Sequence, residues 1–233
     1  MLGRKNDNSP NTDLVFIRDI SSVSKKAEEF RGRTGVPYFD ITKKIDGEWK
    51  SVGKEDTFSG VLLSVSTNKR YDEKDDKQRD NIDKFGNPYV LKVEVVDVEA
   101  GETYVWKTGF TISARTALNS LFNVNLGESI QMSIGKKKTG YDSLFIRKIN
   151  NGVVEDKTVS WKFDLDEVPK ASETIFKGKV MRDYSEVDEF FVSKTKEFFG
   201  DRRANVLQIK ANADAGHDDF VEKLDEIEDS IGF

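Results

Sequence analysis

The stretch that decides the fold begins with Thr57-Phe-Ser-Gly-Val-Leu-Leu-Ser-Val-Ser-Thr67, a run rich in β-branched residues that predicts a strand. After a long polar loop comes Tyr89-Val-Leu-Lys-Val-Glu-Val-Val-Asp-Val98, in which Leu91, Val93 and Val95 share one face of a second strand. The other elements predicted as far as Ile149 are a strand at Thr103–Ile112, a helix at 114–122 capped by Ser113, and strands at Ser129–Ile134 and Ser143–Ile149.

Three strands, a helix and two strands follow the element order of the OB-fold, a five-stranded Greek-key barrel. Other small β-barrels and open α+β sheets have the same order, but the position of the helix and the long first loop favour the OB-fold. In that fold the first loop and the loop between strands four and five flank a groove that commonly binds oligonucleotides. We therefore predict a mainly β protein built on an OB-fold-like five-stranded barrel.

The rest of the chain is predicted to add segments around this barrel. The predicted segments are a disordered 1–13, an N-terminal extension at 14–56, the barrel at 57–165, a connection with a helix at 166–203, and a linker with a disordered acidic tail at 204–233.

Several local elements are predicted inside these segments. The apolar run at 14–17 packs either on the barrel or on a neighbouring molecule, where it would allow self-association. The remaining predictions are a small helix at Ser21–Phe30, a hairpin of Tyr38–Ile41 and Glu48–Val52, a sixth strand at Thr158–Phe163, and a helix at Ser185–Phe199 that starts with a capping box and packs its aromatic stripe on the barrel.

The negative charge of the chain is concentrated near its end. The whole chain carries −5, but residues 214–233 hold eight acidic side chains and one basic one. The first 213 residues therefore carry 36 basic and 34 acidic side chains, a balance of +2. With no Cys and no secretory signal or transmembrane run, we expect a cytoplasmic protein.

No pattern of catalytic residues is visible. The single histidine, His217, lies in a polar region, and the nucleotide-binding, metalloprotease and serine-hydrolase motifs are absent. Asp72, Asp75, Asp76 and Asp80 lack the spacing of a calcium loop and are mixed with lysines. We expect a protein that is not an enzyme and needs no metal or cofactor.

Basic and aromatic side chains alternate through the second, third and fifth strands and both flanking loops. Single-stranded nucleic acid is bound by grooves that neutralise phosphates and offer aromatic faces to the bases. The candidate DNA-binding residues are Lys69, Arg70, Tyr71, Lys77, Arg79, Phe85, Tyr89, Lys92, Tyr104, Trp106, Lys107, Lys136, Lys137, Lys138, Tyr141 and Arg147.

The aromatic residues of the third strand leave two alternatives open. Tyr104, Trp106 and Phe110 share one parity, so they face the barrel core or the groove together. The loop residues Tyr71 and Phe85, like Tyr141 in the later turn, are expected in the groove.

Apolar residues recur inside the acidic tail at spacings of four, three and four, which fits an amphipathic helix docking on a partner. The candidate partner-binding residues are Asp218, Asp219, Phe220, Leu224, Ile227, Ile231 and Phe233. The charge of this tail would also compete with phosphate for a basic groove.

An OB-like domain followed by an acidic tail ending in Asp229-Ser-Ile-Gly-Phe233 resembles the single-stranded DNA-binding proteins of bacteria and, more closely, of bacteriophages. This resemblance implies sequence-independent binding of single strands in phage replication, recombination and repair, in the host cytoplasm. It also implies that the tail recruits polymerase, helicase or primase, and nuclease partners through Phe233 and lowers DNA affinity until DNA displaces it. The chain departs from the bacterial pattern, which ends in a run of Asp followed by Ile-Pro-Phe.

Three alternatives to single-stranded DNA binding stay open. An enzyme, such as a metal-dependent nuclease, is the least favoured, because no ligand set is visible in the sequence. A structural or assembly protein with an acidic interaction tail would bury Tyr104 and Trp106 and show no stacking. RNA is an alternative ligand, since no residue pattern points to recognition of a 2′-hydroxyl.

Overall fold

The structure is a computed structural model, and it describes residues 13–23, 30–69, 89–138, 140–176 and 179–205. The strands in these ranges are β1 (Asp13–Ile20), β2 (Tyr38–Ile45), β3 (Glu48–Glu55), β4 (Thr57–Lys69), β5 (Tyr89–Asp97), β6 (Glu102–Gly109), β7 (Ser129–Lys136), β8 (Asp142–Asn150), β9 (Val153–Val154), β10 (Ser172–Phe176) and β11 (Lys179–Asp183). The helices are α1 (Ile112–Leu121) and α2 (Ser185–Phe198).

Nine strands form one sheet in the order β3-β2-β1-β6-β5-β4-β7-β8-β9, and β10 pairs with β11 in a separate hairpin. The chain is therefore mainly β, as predicted. The predicted five-stranded barrel is wrong, because the edge of β6 is taken by β1, which runs parallel to it from Asp13↔Glu102 to Ile17↔Trp106. The segment expected to lie on a barrel supplies β1, β2 and β3 of the sheet itself.

One face of this sheet encloses the main core with both helices. Leu91, Val93 and Val95 of β5 are completely buried on that face, which confirms the predicted alternation. Residues from β1, β2, β4, β7 and β8 join the same core, so the sheet curves around its contents. Arg31, in the β1–β2 connection, forms an exposed ion pair with Asp56 before β4, with an Nη1–Oδ2 distance of 2.6 Å.

Both helices begin one or two residues away from the predicted cap. Thr111 caps α1 by accepting a hydrogen bond from the Ala114 N–H at 3.2 Å, while Ser113 donates to the Asp142 carbonyl instead. The predicted capping box of α2 is wrong, because the Ser185 hydroxyl donates to Asp183 at 2.6 Å.

The predicted packing of α2 is confirmed. Val187 and Phe191 are buried in the main core, and Phe191 stacks on Phe122 after α1. Arg115 of α1 and Asp188 of α2 form a buried ion pair with an Nε–Oδ1 distance of 2.7 Å. The two helices therefore cover one end of the core as a unit.

Two predicted elements have a different outcome. Residues 158–163 form no strand, because their backbone groups bond to two different elements: the Val159 N–H donates to the Ile146 carbonyl, and the Lys162 N–H to the Asn119 carbonyl. For the small helix predicted at Ser21–Phe30, residues 24–29 lie outside the described residues, and the described ends are not helical. The predicted disordered segment 1–13 also lies outside them except for Asp13, which begins β1.

We expect Gly60→Ala to destabilise the protein by about 2–4 kcal/mol. Gly60 lies where β4 crosses from β7 to β5 at a φ of +153°, and an added Cβ would lie 2.3 Å from the Val96 carbonyl oxygen. The control is Gly53→Ala on β3, where the Cβ would meet nothing within 4 Å. Urea unfolding measures both variants, and equal stabilities would contradict the close approach of β4 to β5.

Candidate nucleic-acid interface

Lys69 and Tyr89, which flank the undescribed residues 70–88, lie at the same end of the molecule as the start of α1. Lys69 pairs with Tyr89, and Val90 pairs with Gly109 at the end of β6. Lys69 is exposed and Tyr89 is half-buried against Phe110, with ring centroids 5.8 Å apart. The predicted site residues Arg70, Tyr71, Lys77, Arg79 and Phe85 lie outside the described residues.

The β7–β8 turn comes to this same end. The Ser113 hydroxyl at the start of α1 donates to the Asp142 carbonyl at 2.9 Å, which joins the turn to the helix. Beside this bond lies a cleft of about 580 Å³. Tyr141 on its rim is 76% exposed, and Lys136, Lys137 and Lys138 are all exposed in the turn. The turn therefore offers one open aromatic ring among three cations.

Asp142 fixes the cleft by binding the end of β1. Its carboxylate accepts hydrogen bonds from the Ser21 hydroxyl at 2.6 Å, the Ser22 hydroxyl at 2.7 Å and the Ser22 N–H at 2.8 Å. Partial burial opposes ionisation of this carboxyl, but these bonds and nearby Lys136 outweigh it and lower the pKa of Asp142. The β1 end and the β7–β8 turn are thus held together by an ionised carboxylate.

The aromatic residues of β6 belong to the core. Trp106 is completely buried, and its indole N–H donates to Asp19 of β1 at 3.0 Å. Tyr104 packs edge-to-face on Phe58, and burial with the carboxylates of Glu102 and Asp97 raises its pKa to about 12. Of the two alternatives for Trp106, the core is the one observed, so Trp106 has no free face for a base.

The opposite face of the same strands carries the cations. Lys92 on β5 and Lys107 on β6 stand directly across from each other. Lys92 forms an ion pair with Glu94 at 2.6 Å, whereas exposed Lys107 has no acidic partner among the described residues. Arg147 is half-buried on β8 opposite Gln131, and β4 and β7 separate it from the two lysines.

The outward face continues beyond β6 onto strands that sequence reasoning treated as an extension. Alternation along β1 buries Val15 and Ile17 and leaves Arg18 exposed on the Lys107 side. We name the outward side chains of β3, β2, β1, β6 and β5 the outer face. Its charged side chains are Lys54, Lys44, Asp40, Arg18, Lys107, Lys92 and Glu94.

Five basic and two acidic groups give this outer face a balance of +3, in a chain whose net charge is −5. Arg18, Lys44 and Lys54 are the outer-face cations that sequence reasoning missed. A signal for Arg18 is the apolar run Leu14–Ile17 followed by Ile20, which is rich in strand-forming residues and marks β1 as a strand.

The last described residues border this outer face. The Ala204 N–H donates to the Leu63 carbonyl of β4 at 2.9 Å, and Arg203 reaches Glu94 at 3.4 Å. The end of the described chain therefore borders the outer face, where Arg203 and Lys92 both bind Glu94. All the predicted tail residues, from Asp218 to Phe233, lie outside the described residues.

Comparison with known proteins assigns no family: no family model, curated protein or solved structure matches the chain. Neither helix in the described ranges has the length and apolar character needed to cross a membrane. In those ranges no group of three or more His, Asp or Glu side chains is placed to hold a metal ion.

We expect Asp142→Ala to destabilise the protein by about 1–3 kcal/mol at neutral pH, since three hydrogen bonds to a charged acceptor are lost. The folded-state pKa of Asp142 is lowered, so its contribution is present above the unfolded value of about 3.9 and is lost as pH falls through the folded value. Urea unfolding between pH 3 and pH 7 measures this.

The control for this prediction is Asp166→Ala, an exposed carboxylate without a partner among the described residues, which should change stability by less than about 0.5 kcal/mol. A difference between wild type and Asp142→Ala that stays constant down to pH 3 would contradict the assigned role of the ionised carboxylate.

Proposed function

We propose that this protein binds single-stranded DNA without sequence preference, along the outer face and the β7–β8 turn. The observation that carries the proposal is the balance of +3 on the outer face, in a chain whose first 213 residues together carry only +2. Lysine and arginine side chains gain affinity for nucleic acid by displacing condensed counterions from phosphates. This type of contact recognises the backbone, so it does not depend on base sequence.

The fold supports a groove of OB type without a closed barrel. The strands β6-β5-β4-β7-β8 are consecutive in the sheet, and α1 lies between β6 and β7 in the chain. We propose that these strands form an opened OB-type unit, whose groove is bordered by the 70–88 loop and the β7–β8 turn.

Because Trp106 is buried, we propose that other aromatic residues stack on the bases. The open ring of Tyr141 lies beside Lys136–Lys138, where a base and its phosphate can be bound together. We propose that Tyr71 and Phe85 of the long loop add to this stacking.

The described chain ends at the border of the outer face, and the acidic tail follows later in the sequence. Arg203 and Ala204 are anchored at the edge of this face, ten residues before the first tail carboxylate, Asp214. We propose that the tail competes with DNA there and, once displaced, recruits replication, recombination and repair proteins of a phage system in the host cytoplasm.

A structural or assembly role is the second candidate. It requires Trp106 to be buried, as observed, and it gains from the exposed Ile175–Val180 pair on the β10–β11 hairpin, which is an apolar surface suited to a protein partner. Binding of a single strand is the measurement that separates the two candidates.

We expect fluorescence anisotropy with a labelled dT oligomer to show binding that weakens as salt rises. Protein ending at residue 213 should bind more tightly than the full chain, by tenfold or more at low salt, because about seven net negative charges are removed. Weaker binding after truncation would contradict the competing tail, and the absence of binding by both proteins would favour the structural role.

We expect Lys107→Ala to weaken dT binding several-fold and to reduce the slope of log affinity against log salt by about 0.7, the value for one phosphate contact on a single strand. Lys157→Ala is the control, because Lys157 is an equally exposed lysine after β9, away from the outer face. Identical salt slopes for the two variants would remove Lys107 from the interface.

A further inference from the structure

Trp49 is a large aromatic side chain left open on the edge strand β3. It is 50% exposed, and its ring meets that of Phe16 edge to face, with centroids 4.6 Å apart and an interplanar angle of 85°. Phe16 of β1 is half-buried and pairs with Val105 of β6. Phe16 thus supports one side of the Trp49 indole, and the exposed half of the indole is accessible to a ligand.

A cation stands beside this ring on the outer face. Exposed Lys44 stands directly across from Trp49 on β2. The one carboxylate on the outward side of β2 and β3, that of Asp40, already binds Arg18 at 3.0 Å and Ser51 at 2.6 Å. A flat apolar surface within a cationic field is complementary to a polyanion that carries flat rings, and single-stranded nucleic acid has this chemistry.

Addition of a strand from a second copy along β3 is disfavoured. The β2–β3 pairing contains a register shift between Ile41 and Thr42, and β3 carries Lys50 and Lys54. Bulges and lysines on an edge strand are features that prevent edge-to-edge pairing. The ligand of this region is therefore expected on the outward rings rather than on the backbone edge.

We propose that Trp49, supported by Phe16, stacks on a base of single-stranded DNA and extends the DNA path beyond Lys107. Three strand spacings separate β6 from β3, a distance of about 15 Å across the sheet. Phosphates along this path would meet Arg18 and Lys44. The inference rests on the proposed DNA binding and adds a stacking site that the five central strands do not contain.

Tryptophan fluorescence tests the contact directly. The chain has three tryptophans, of which Trp106 is completely buried and Trp161 is 41% exposed near α1. In Trp161→Phe protein the emission that responds to ligand comes from Trp49. We expect addition of a dT oligomer to quench this emission, at the same concentrations at which anisotropy of a labelled oligomer shows binding.

Two outcomes of this titration overturn different statements. Binding seen by anisotropy with unchanged Trp49 emission would overturn the stacking site and leave the DNA-binding function in place. No binding by anisotropy with the full chain or with protein ending at residue 213 would overturn the function and the stacking site together.

Affinity supplies the second measurement. Trp49→Ala should weaken binding of a long dT oligomer by about 5- to 100-fold, the loss expected for one stacked base, with partial recovery in Trp49→Phe. Trp161→Ala is the matched control and should bind as the wild type does. Unchanged DNA affinity in Trp49→Ala, with loss of a dimer in sedimentation, would overturn the proposal and assign the ring to contact between copies.

Discussion

The parallel pairing of β1 with β6 is the constraint on which the rest of the structure depends. By occupying the free edge of β6, β1 prevents closure on β8 and opens the sheet to β2 and β3. The same pairing places Asp19 where the buried Trp106 indole needs an acceptor. An unpaired indole N–H in the core would cost free energy. By pairing with β6, β1 therefore both supplies the hydrogen-bond acceptor for Trp106 and extends the sheet.

This pairing also determines what each face of the sheet can do. Since side chains alternate along a strand, fixing Ile17 beside Trp106 in the core turns Phe16 and Arg18 outward. The outer face therefore lacks Trp106 but carries Phe16, and the ring of Phe16 positions Trp49. Burial of one aromatic residue and exposure of another follow from the same register.

Local sequence patterns predicted what depends on local geometry. The alternation of Leu91, Val93 and Val95 gave the core face of β5, and the helical spacing of Val187 and Phe191 gave the packed face of α2. The sequence left open which face of the sheet Trp106 occupies. The answer depended on its hydrogen bond to Asp19, which is 87 residues away in the chain. Propensity and period contain no information about pairing over that distance, so the barrel was predicted where the sheet is open.

The candidate site shows the same limit for a different reason. Lys107 was found from sequence because it follows an aromatic residue, but the charge of a surface is a property of strands that become neighbours only in the folded sheet. Arg18 and Lys44 join Lys107 through β1 and β2, and Asp40 is neutralised within the same face. Likewise, residues 158–163 are strand-like in composition, yet their backbone is divided between β8 and α1.

The acidic residues of this chain are concentrated in its tail, and the sheet determines how close that tail starts to the basic outer face. Interactions between exposed charges are screened beyond about 10 Å at ordinary ionic strength, so an acidic tail affects a basic face only where the two are held close. The Ala204–Leu63 and Arg203–Glu94 contacts anchor the chain at the outer face ten residues before Asp214, the first carboxylate of the tail. An attachment on the far side of the sheet would give the same net charge of −5 with a much lower local concentration of carboxylates at the outer face. Under the proposed function, the anchoring of Arg203 and Ala204 at the outer face, rather than the composition of the tail alone, is what would make competition between tail and DNA effective.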